Sequence, residues 1–465
     1  MKKDSSIESL AARLRGEVTR LAPGDRLPSS RTLVERHKVS PVTVTRALGM
    51  LAAEGLVVAR PGSGTYVADR PRKASEPPDF GWQVVALGDR TVDTAGLHAM
   101  LPIAPEGIIA LSGGYLHPSL QPARALATAA ARATRRPSSW ERPPLSGIPE
   151  LRAWFAASIG PGAVDAEVLI TSGGQAALSI ALRSLLAPGS PVLVESPTYP
   201  GALVASRAAG LHPVPVPVDA EGVRPDLLAE AFAMTGAKVF YCQPTFHNPT
   251  GAVLSAERRA QVLSVARAAG AFVIEDDYAR YLGLSDGPPP LAAQDDEGTV
   301  VHLTSLTKIT APSMRIAAMI ARGPVAERLR ATQLVDTFFP ARPLQEAALE
   351  LVSSPAWPRH LKAVRAALRR RRDALAAAVA RELPGVRPTR PPGGLHLWLR
   401  LPPGVDEQPL VEAAARAGVL VSPGRPYFPA EPPGQFLRLS YSIASTEAEL
   451  AEGVRRLARA LSKIS

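Results

Sequence analysis

Apolar residues recur at helical spacing through IESLAARLRGEVTRL (residues 7–21), and the PGD that follows ends the run. The turn signal LPSS leads into a second helical segment, SSRTLVERHK, where Ser29 and Ser30 are both suited to the N-cap. A third helix is predicted from Pro41 to about Glu54, with Ser40 as N-cap and Pro41 at the first helical position. GLVVARPGSGTYVA then holds two short β-type runs around PGSG, the turn chemistry of a hairpin. Three helices and a hairpin within ~65 residues outline a winged helix-turn-helix.

Residues 69–80, DRPRKASEPPDF, are polar and proline-bearing and read as a linker. Beyond them apolar runs alternate with Ala- and Arg-rich helical stretches. The runs are VLI (168–170), PVLV (191–194), KVFYC (238–242), AFVI (271–274) and TVVHL (299–303), which is the pattern of a parallel sheet with crossover helices. From about residue 340 the helices LQEAALELV and LKAVRAALRRRRDALAAAVA precede the strands GGLHLWLRL and FLRLSYS, a smaller α+β lobe. The expected organisation is a winged-helix head at 1–68, a linker at 69–80, a large α/β domain at 81–335 and a small lobe at 336–465.

At 465 residues with 20% charged and 46% hydrophobic positions, the chain has ordinary globular composition, which excludes a disulfide-stapled mini-protein and wholesale disorder. No apolar run reaches the ~18 residues of a membrane span, and MKKDSSIESL lacks the apolar core of a signal peptide, so a cytoplasmic location is expected. The single cysteine, Cys242, is expected in the core, in keeping with a reducing compartment. The formal charge of +11 is unevenly spread. Residues 1–76 hold 14 Lys/Arg against 8 Asp/Glu, and the remaining 389 hold 39 against 34, so a polyanion-binding head on a nearly balanced body is indicated. Only 8 of the 53 basic residues are lysine, which makes Lys308, directly after an apolar strand, conspicuous.

The segment LPSSRTLVERHKVSPVTVTRALGMLAAEGLVVARPGSGTYV closely resembles the GntR-type winged helix in its helix spacing, its AEG junction and its GSGTYV wing. The second helix of such a motif enters the major groove with its N-terminal residues, while basic and hydroxyl side chains around it contact phosphates. Double-stranded operator DNA is the implied partner. Arg31, Ser40, Thr43, Thr45 and Arg46 are the nominated contacts, with the wing backbone at Gly62, Ser63, Gly64 and Thr65 close to the duplex. Val42, Val44, Leu48 and Leu51 are expected to divide between core and groove edge.

In the body, polar segments follow each strand: TSGGQAAL, ESPTYPG, QPTFHNPTG, EDDYARY and TSLTKITAPSMRIA. Open parallel sheets bind ligands just beyond their carboxyl edge, so five strand ends converge on one site. The chemistry suits pyridoxal 5'-phosphate. Lys308 can form a Schiff base if desolvation keeps its amine nucleophilic. A carboxylate facing the ring nitrogen keeps the ring an electron sink, a role for Asp276 with Asp277 as the competitor. Tyr278 falls on the same side as Asp276. Gly173, Gly174 and Gln175 open a helix whose amides form an anion nest, and Ser305, Thr307 and Arg315 add donors and charge for the phosphate. Tyr199 is placed to stack on the ring, and the Asn248 amide to bond its phenolic oxygen. His117, His247 and His302 lack ligand spacing, so no metal is expected.

These motifs, S-x-T-K with an arginine seven residues on, N-P-T-G and the carboxylate-bearing strand end, resemble those of fold-type I aspartate-aminotransferase-like enzymes over about residues 105–445. The resemblance implies that Arg438 holds a substrate or effector α-carboxylate and that Gly114 lines the same pocket. A GntR-type head on such a body is the arrangement of the MocR class of bacterial regulators, which the whole chain resembles. That class implies a head-to-tail homodimer with cofactor sites near the subunit boundary. The function expected is regulation of transcription, with an amino compound or vitamer sensed through an aldimine at Lys308. The alternative is a working aminotransferase with a secondary head.

Overall fold

The computed structural model describes residues 4–464, apart from 70–78, 89–90, 99–100, 102–103, 161 and 387. Most of the expected linker therefore lies outside the described residues. Contacts divide the chain into two units, Met1–Arg90 and Thr91–Ser465.

The first unit opens with helices α1 (Asp4–Val18), α2 (Ser30–His37) and α3 (Pro41–Ala53), followed by the antiparallel hairpin β1 (Val57–Arg60) and β2 (Gly64–Val67). Capping explains the helix starts. The Ser29 hydroxyl accepts from the Thr32 amide at 3.2 Å and the Ser40 hydroxyl from the Thr43 amide at 3.1 Å, while Pro41 occupies the first turn of α3. Leu10, Leu14, Leu33, Val44, Ala47 and Leu51 form one core, closed by Val57 and Val67 of the hairpin. The hairpin is also pinned to the loop before α2, where the Leu27 amide donates to the Thr65 carbonyl at 2.8 Å. A short helix α4 (Gly81–Leu87) completes this unit, although the sequence reading began the body at residue 81.

In the second unit the strands are β3 (Ile109–Ala110), β4 (Val168–Thr171), β5 (Pro191–Ser196), β6 (His212–Asp219), β7 (Gly222–Val223), β8 (Val239–Cys242), β9 (Phe272–Asp277), β10 (Val300–Ser305), β11 (Ala317–Ile320), β12 (His396–Arg400), β13 (Val419–Leu420), β14 (Ser422–Pro423) and β15 (Phe436–Ser440). The large sheet runs β4-β11-β10-β9-β8-β5-β6-β7. Its neighbours from β10 to β6 pair in parallel, as the alternating pattern implies. The sheet is nevertheless mixed, because β11 runs antiparallel to both β10 and β4, and β7 turns back on β6. The reason is chain length. Residues 306–316, with only a 3₁₀ turn at Pro312–Met314, are too few for a crossover helix, so the chain returns in the opposite direction.

The central strands are buried on both faces, which accounts for their unbroken apolar runs. Val192, Val194, Tyr241 and Ile274 pack on one side, and Leu193, Phe240, Cys242 and Val273 on the other. The small lobe holds the sheet β12-β15-β14, and β3 pairs with β13, so residues 109–110 contribute to a sheet of the C-terminal part. Among the described residues no helix is long and apolar enough to cross a membrane.

Because Leu33 is fully buried in a core separate from that of the body, Leu33→Ala is expected to cost the head about 2–5 kcal/mol. Differential scanning calorimetry of the full chain tests this. A shift confined to one transition is the expected result, and an equal shift of the whole endotherm would contradict two independent cores.

Candidate functional site

The strand ends of the body surround a cavity of about 230 Å³. Lys308 follows β10 and reaches into it. Its Nζ donates to the Gly114 carbonyl at 2.8 Å and lies 4.0 Å from the centre of the Tyr115 ring. Burial, assisted by the positive charges of Arg438 and Arg315 and opposed by Asp276, pushes this amine down to about 8, so it is still mostly an ammonium at neutral pH but loses its proton far more readily than a free lysine.

Strand alternation puts the two aspartates on opposite faces of β9. Asp276 shares the face of β9 with Ile274 and lines the cavity, whereas Asp277 and Glu275 point to the opposite face. Asp276 Oδ2 accepts from the Tyr241 hydroxyl at 2.6 Å and from Gln243 Nε2 at 2.8 Å. Burial raises its carboxyl above the ordinary range, and those two donors oppose the shift. Tyr278 joins Asp276 at the cavity, with its hydroxyl donating to the Phe246 carbonyl at 2.9 Å.

The turn expected to form an anion nest lies at the start of the helix Gly174–Leu185. Gly173 has φ +94°, and a Cβ there would stand 2.5 Å from Arg315 Nη2, so both the backbone turn and the close guanidinium require glycine. Arg315 Nη2 donates to the Ser172 carbonyl at 3.0 Å. The Thr307 amide donates to the Ser305 hydroxyl at 3.1 Å, while the buried Thr307 hydroxyl has no partner. Tyr199 is bonded to Gln175, its hydroxyl donating to Oε1 at 3.1 Å, and the Gln175 amide donates to the Gly201 carbonyl at 2.9 Å.

Arg438, on β15, is 1% exposed. Nη1 donates to Asn248 Oδ1 at 3.1 Å and to His396 Nε2 at 3.2 Å, and Nη2 donates to the Gly113 carbonyl at 2.7 Å and the Ser422 hydroxyl at 3.4 Å. Every one of these acceptors is neutral. Among the described residues no carboxylate forms an ion pair with Arg438, Arg315 or Lys308, although these three cations share one cavity in which Asp276 is the only acidic lining residue. Buried cations without a counter-anion are costly unless a ligand supplies one. An unpaired guanidinium beside bare helix amides, with an orphaned hydroxyl at hand, suits a phosphate, so the residues present fit the implied cofactor.

Of the body residues expected from the sequence, Gly114, Gly174, Gln175, Tyr199, Asn248, Asp276, Tyr278, Ser305, Thr307, Lys308, Arg315 and Arg438 all line this cavity, and Gly173 adjoins it. The sequence reading omitted Gln243, Tyr115, His396, Leu97 and Leu101 from the lining. Gln243 was detectable, since it directly follows the run KVFYC. His396 was not, because its strand reads as an ordinary buried one. Burial, with Arg438 and Lys308 adding to it, holds the His396 imidazole well below its usual range. The three histidines considered as metal ligands have local neighbours. His117 Nδ1 accepts from the Ser119 amide at 3.1 Å, His247 Nε2 is 3.3 Å from Glu195, and His302 Nδ1 is 2.8 Å from Glu275.

In the head, Val42 is 62% exposed near the start of α3, and Thr45 and Arg46 are exposed on the same helix, whereas Val44 and Leu51 belong to the core. The Thr45 hydroxyl donates to the Pro41 carbonyl at 3.0 Å, and the Ser40 and Thr43 hydroxyls lie 2.8 Å apart. Arg31 pairs with Glu35 at 3.3 Å, both exposed. The wing needs glycine at Gly62 (φ +73°) and Gly64 (φ +118°), the latter because Arg26 Nε would lie 2.9 Å from a Cβ.

The family model for class I and II aminotransferases matches residues 108–457, and that for bacterial regulatory proteins of the gntR family matches residues 7–67. A 2-aminoadipate transaminase of Thermus thermophilus is 35% identical over 363 residues, 76% of this chain and 90% of that protein. The HTH-type transcriptional regulator TauR of Rhodobacter capsulatus is 32% identical over 97% of this chain and 96% of its own length. Among solved structures, the α-aminoadipate aminotransferase LysN of Thermus thermophilus, complexed with N-(5'-phosphopyridoxyl)-L-leucine, superposes with a TM-score of 0.73 at 33% identity, covering 80% of this chain and 97% of that one.

Behind the cavity, burial raises the Asp277 carboxyl to about 6, with His302, Arg280 and Arg259 lowering it and Glu275 adding to the rise. Above its ordinary value near 3.8 the folded state therefore binds a proton more tightly than the unfolded chain, and the associated stability declines as pH rises through 4–6. Thermal melts of Asp277→Asn against the parent should favour the variant more at pH 7.5 than at pH 4.5, by about 2 kcal/mol. A pH-independent difference would contradict the raised carboxyl.

Proposed function

The chain belongs to the class I and II aminotransferase family and carries a gntR-family head, as MocR-like transcription regulators do, and on that premise we propose that it binds pyridoxal 5'-phosphate and uses Lys308 to sense an amino compound, or the cofactor itself. The observation that carries the proposal is the charge imbalance: among the described residues, Lys308, Arg315 and Arg438 face one cavity lined by a single carboxylate.

When bound, the cofactor supplies an aldehyde that takes a primary amine and a ring that withdraws electrons. In this reading Gly173, Gly174, Ser305, Thr307 and Arg315 bind the phosphate and Asp276 holds a proton at the ring nitrogen. Tyr241 and Gln243 keep Asp276 in place, and Tyr199 packs on the ring. Lys308 presents its amine, already lowered to about 8, and an amino compound competes with it. Arg438 orients the compound's carboxylate. Sensing requires that one arrangement of head and body bind the compound better than another. Operator DNA is contacted by α3 and the wing, with Arg31 and Arg46 on phosphates. The working unit is a head-to-tail homodimer with the cofactor near the subunit boundary. A second reading, turnover of an amino acid, is favoured by Lys308, Asn248, Asp276 and Arg438 all meeting at one cavity.

The purified protein loaded with cofactor is expected to absorb visible light, and borohydride is expected to fix the cofactor to Lys308 and not to Lys308→Ala protein. Arg31→Ala and Arg46→Ala are each expected to weaken operator binding and to reduce the log–log salt slope by about one unit. Mobility-shift titration with and without cofactor and amino compounds decides the sensing claim. A change in operator affinity of roughly 5- to 150-fold supports it. Identical affinity in every state, with sustained turnover on an amino acid and a 2-oxo acid, would replace it with the enzymatic reading.

A further inference from the structure

We infer that the amino compound this cavity takes is an α-amino acid with a single carboxylate and an uncharged side chain. The inference rests on the reading above and deepens it. Lining cations are the limiting resource. Lys308 is committed to the aldehyde, and Arg315, beside the Gly173–Gly174 amides, to the phosphate. Only Arg438 remains. It bonds the carbonyl of Gly113, next to the Gly114 carbonyl that holds Lys308, so one carboxylate at Arg438 stands beside the reacting amine.

Among the described residues a second carboxylate finds no charge to meet. His396 is the remaining basic side chain of the lining, and its Nε2 accepts a hydrogen bond from Arg438 Nη1 at 3.2 Å, so that nitrogen carries no proton. Away from the groups assigned to the cofactor and to Arg438, the lining offers Leu97, Leu101 and the Tyr115 ring, and its other polar members, such as Gln243 and Thr304, carry no charge. In sequence, LHAMLPI (97–103) holds no ionisable residue apart from His98, which is exposed and lies 3.3 Å from the Thr94 hydroxyl. A distal carboxylate would be desolvated against apolar groups, which costs affinity without return. A distal ammonium fares no better. The one lining carboxylate, Asp276, already accepts from Tyr241 and Gln243 and is directed to the ring nitrogen in the reading above. An aliphatic side chain instead gains contact with Leu97, Leu101 and Tyr115.

The test uses full-length protein loaded with pyridoxal phosphate, titrated with L-leucine, L-methionine, L-glutamate, L-lysine and propylamine. Calorimetry and the visible spectrum provide the readouts. Leucine and methionine are expected to bind at least ~10-fold more tightly than glutamate or lysine. Arg438→Gln is expected to shrink the ratio of leucine to propylamine affinity by ~30-fold or more, since a buried charge pair is lost for leucine alone. Equal or tighter binding of glutamate or lysine overturns the inference and leaves the sensing reading standing, because a countercharge must then come from elsewhere, such as a second subunit. An unchanged ratio in Arg438→Gln also overturns it. Failure of all five to bind, while borohydride still fixes the cofactor to Lys308, overturns both the inference and sensing of an amino compound.

Discussion

Three cations and one carboxylate in a small enclosed space form an arrangement that a folded chain tolerates poorly by itself. Lys308, Arg315 and Arg438 each donate to backbone carbonyls, and Arg438 also to neutral side chains, none of which cancels charge, and the buried Arg438 Nε has no partner. A phosphorylated cofactor brings about −1.5 to −2 and an amino acid carboxylate brings a further unit. In the proposed reading such ligands complete the site electrostatically, and occupancy is then coupled to the energy of the body.

The rest of the fold holds those charges in place. Parallel strands deliver TSGG, QPTFHNPTG, EDDY and TSLTK to one edge of the sheet. Antiparallel β11 is part of the same device: the short return from β10 brings Arg315, in the left-handed region at φ +46°, back beside the Gly173 turn. On the far face of β9, Glu275 accepts from the Leu291 and Ala292 amides at 2.7 and 3.0 Å and pairs with His302. This buried network ties the loop after residue 290 to the strand that positions Asp276. Arg259 does similar work at the end of β8, donating to the Pro244 carbonyl and the Thr245 hydroxyl, both at 2.8 Å.

Much of this was legible from residue order alone. The caps at Ser29 and Ser40, the wing glycines and the strand-end polar segments are local signals, each with its own chemistry. Period-two alternation put Asp276 and Asp277 on opposite faces of β9, but both faces are buried, so which of the two lines the cavity depended on the packing around them. Non-local features were not legible. The direction of β11, the pairing of β3 with β13 and the placement of His396 against Arg438 depend on contacts between segments far apart in sequence. Leu97 and Leu101 belong to no motif and reach the cavity because the short helix Ala95–His98 packs on the helix Pro200–Ala208.

The claim on which the account turns is that unpaired positive charge in the cavity recruits a phosphate. Calorimetric titration of cofactor-free protein with pyridoxal phosphate and with pyridoxal, in parent and Arg315→Gln proteins, addresses it directly. The account predicts at least ~100-fold tighter binding of the phosphorylated form by the parent, with most of that preference lost in the variant. Equal affinities for the two vitamers in the parent protein would contradict it.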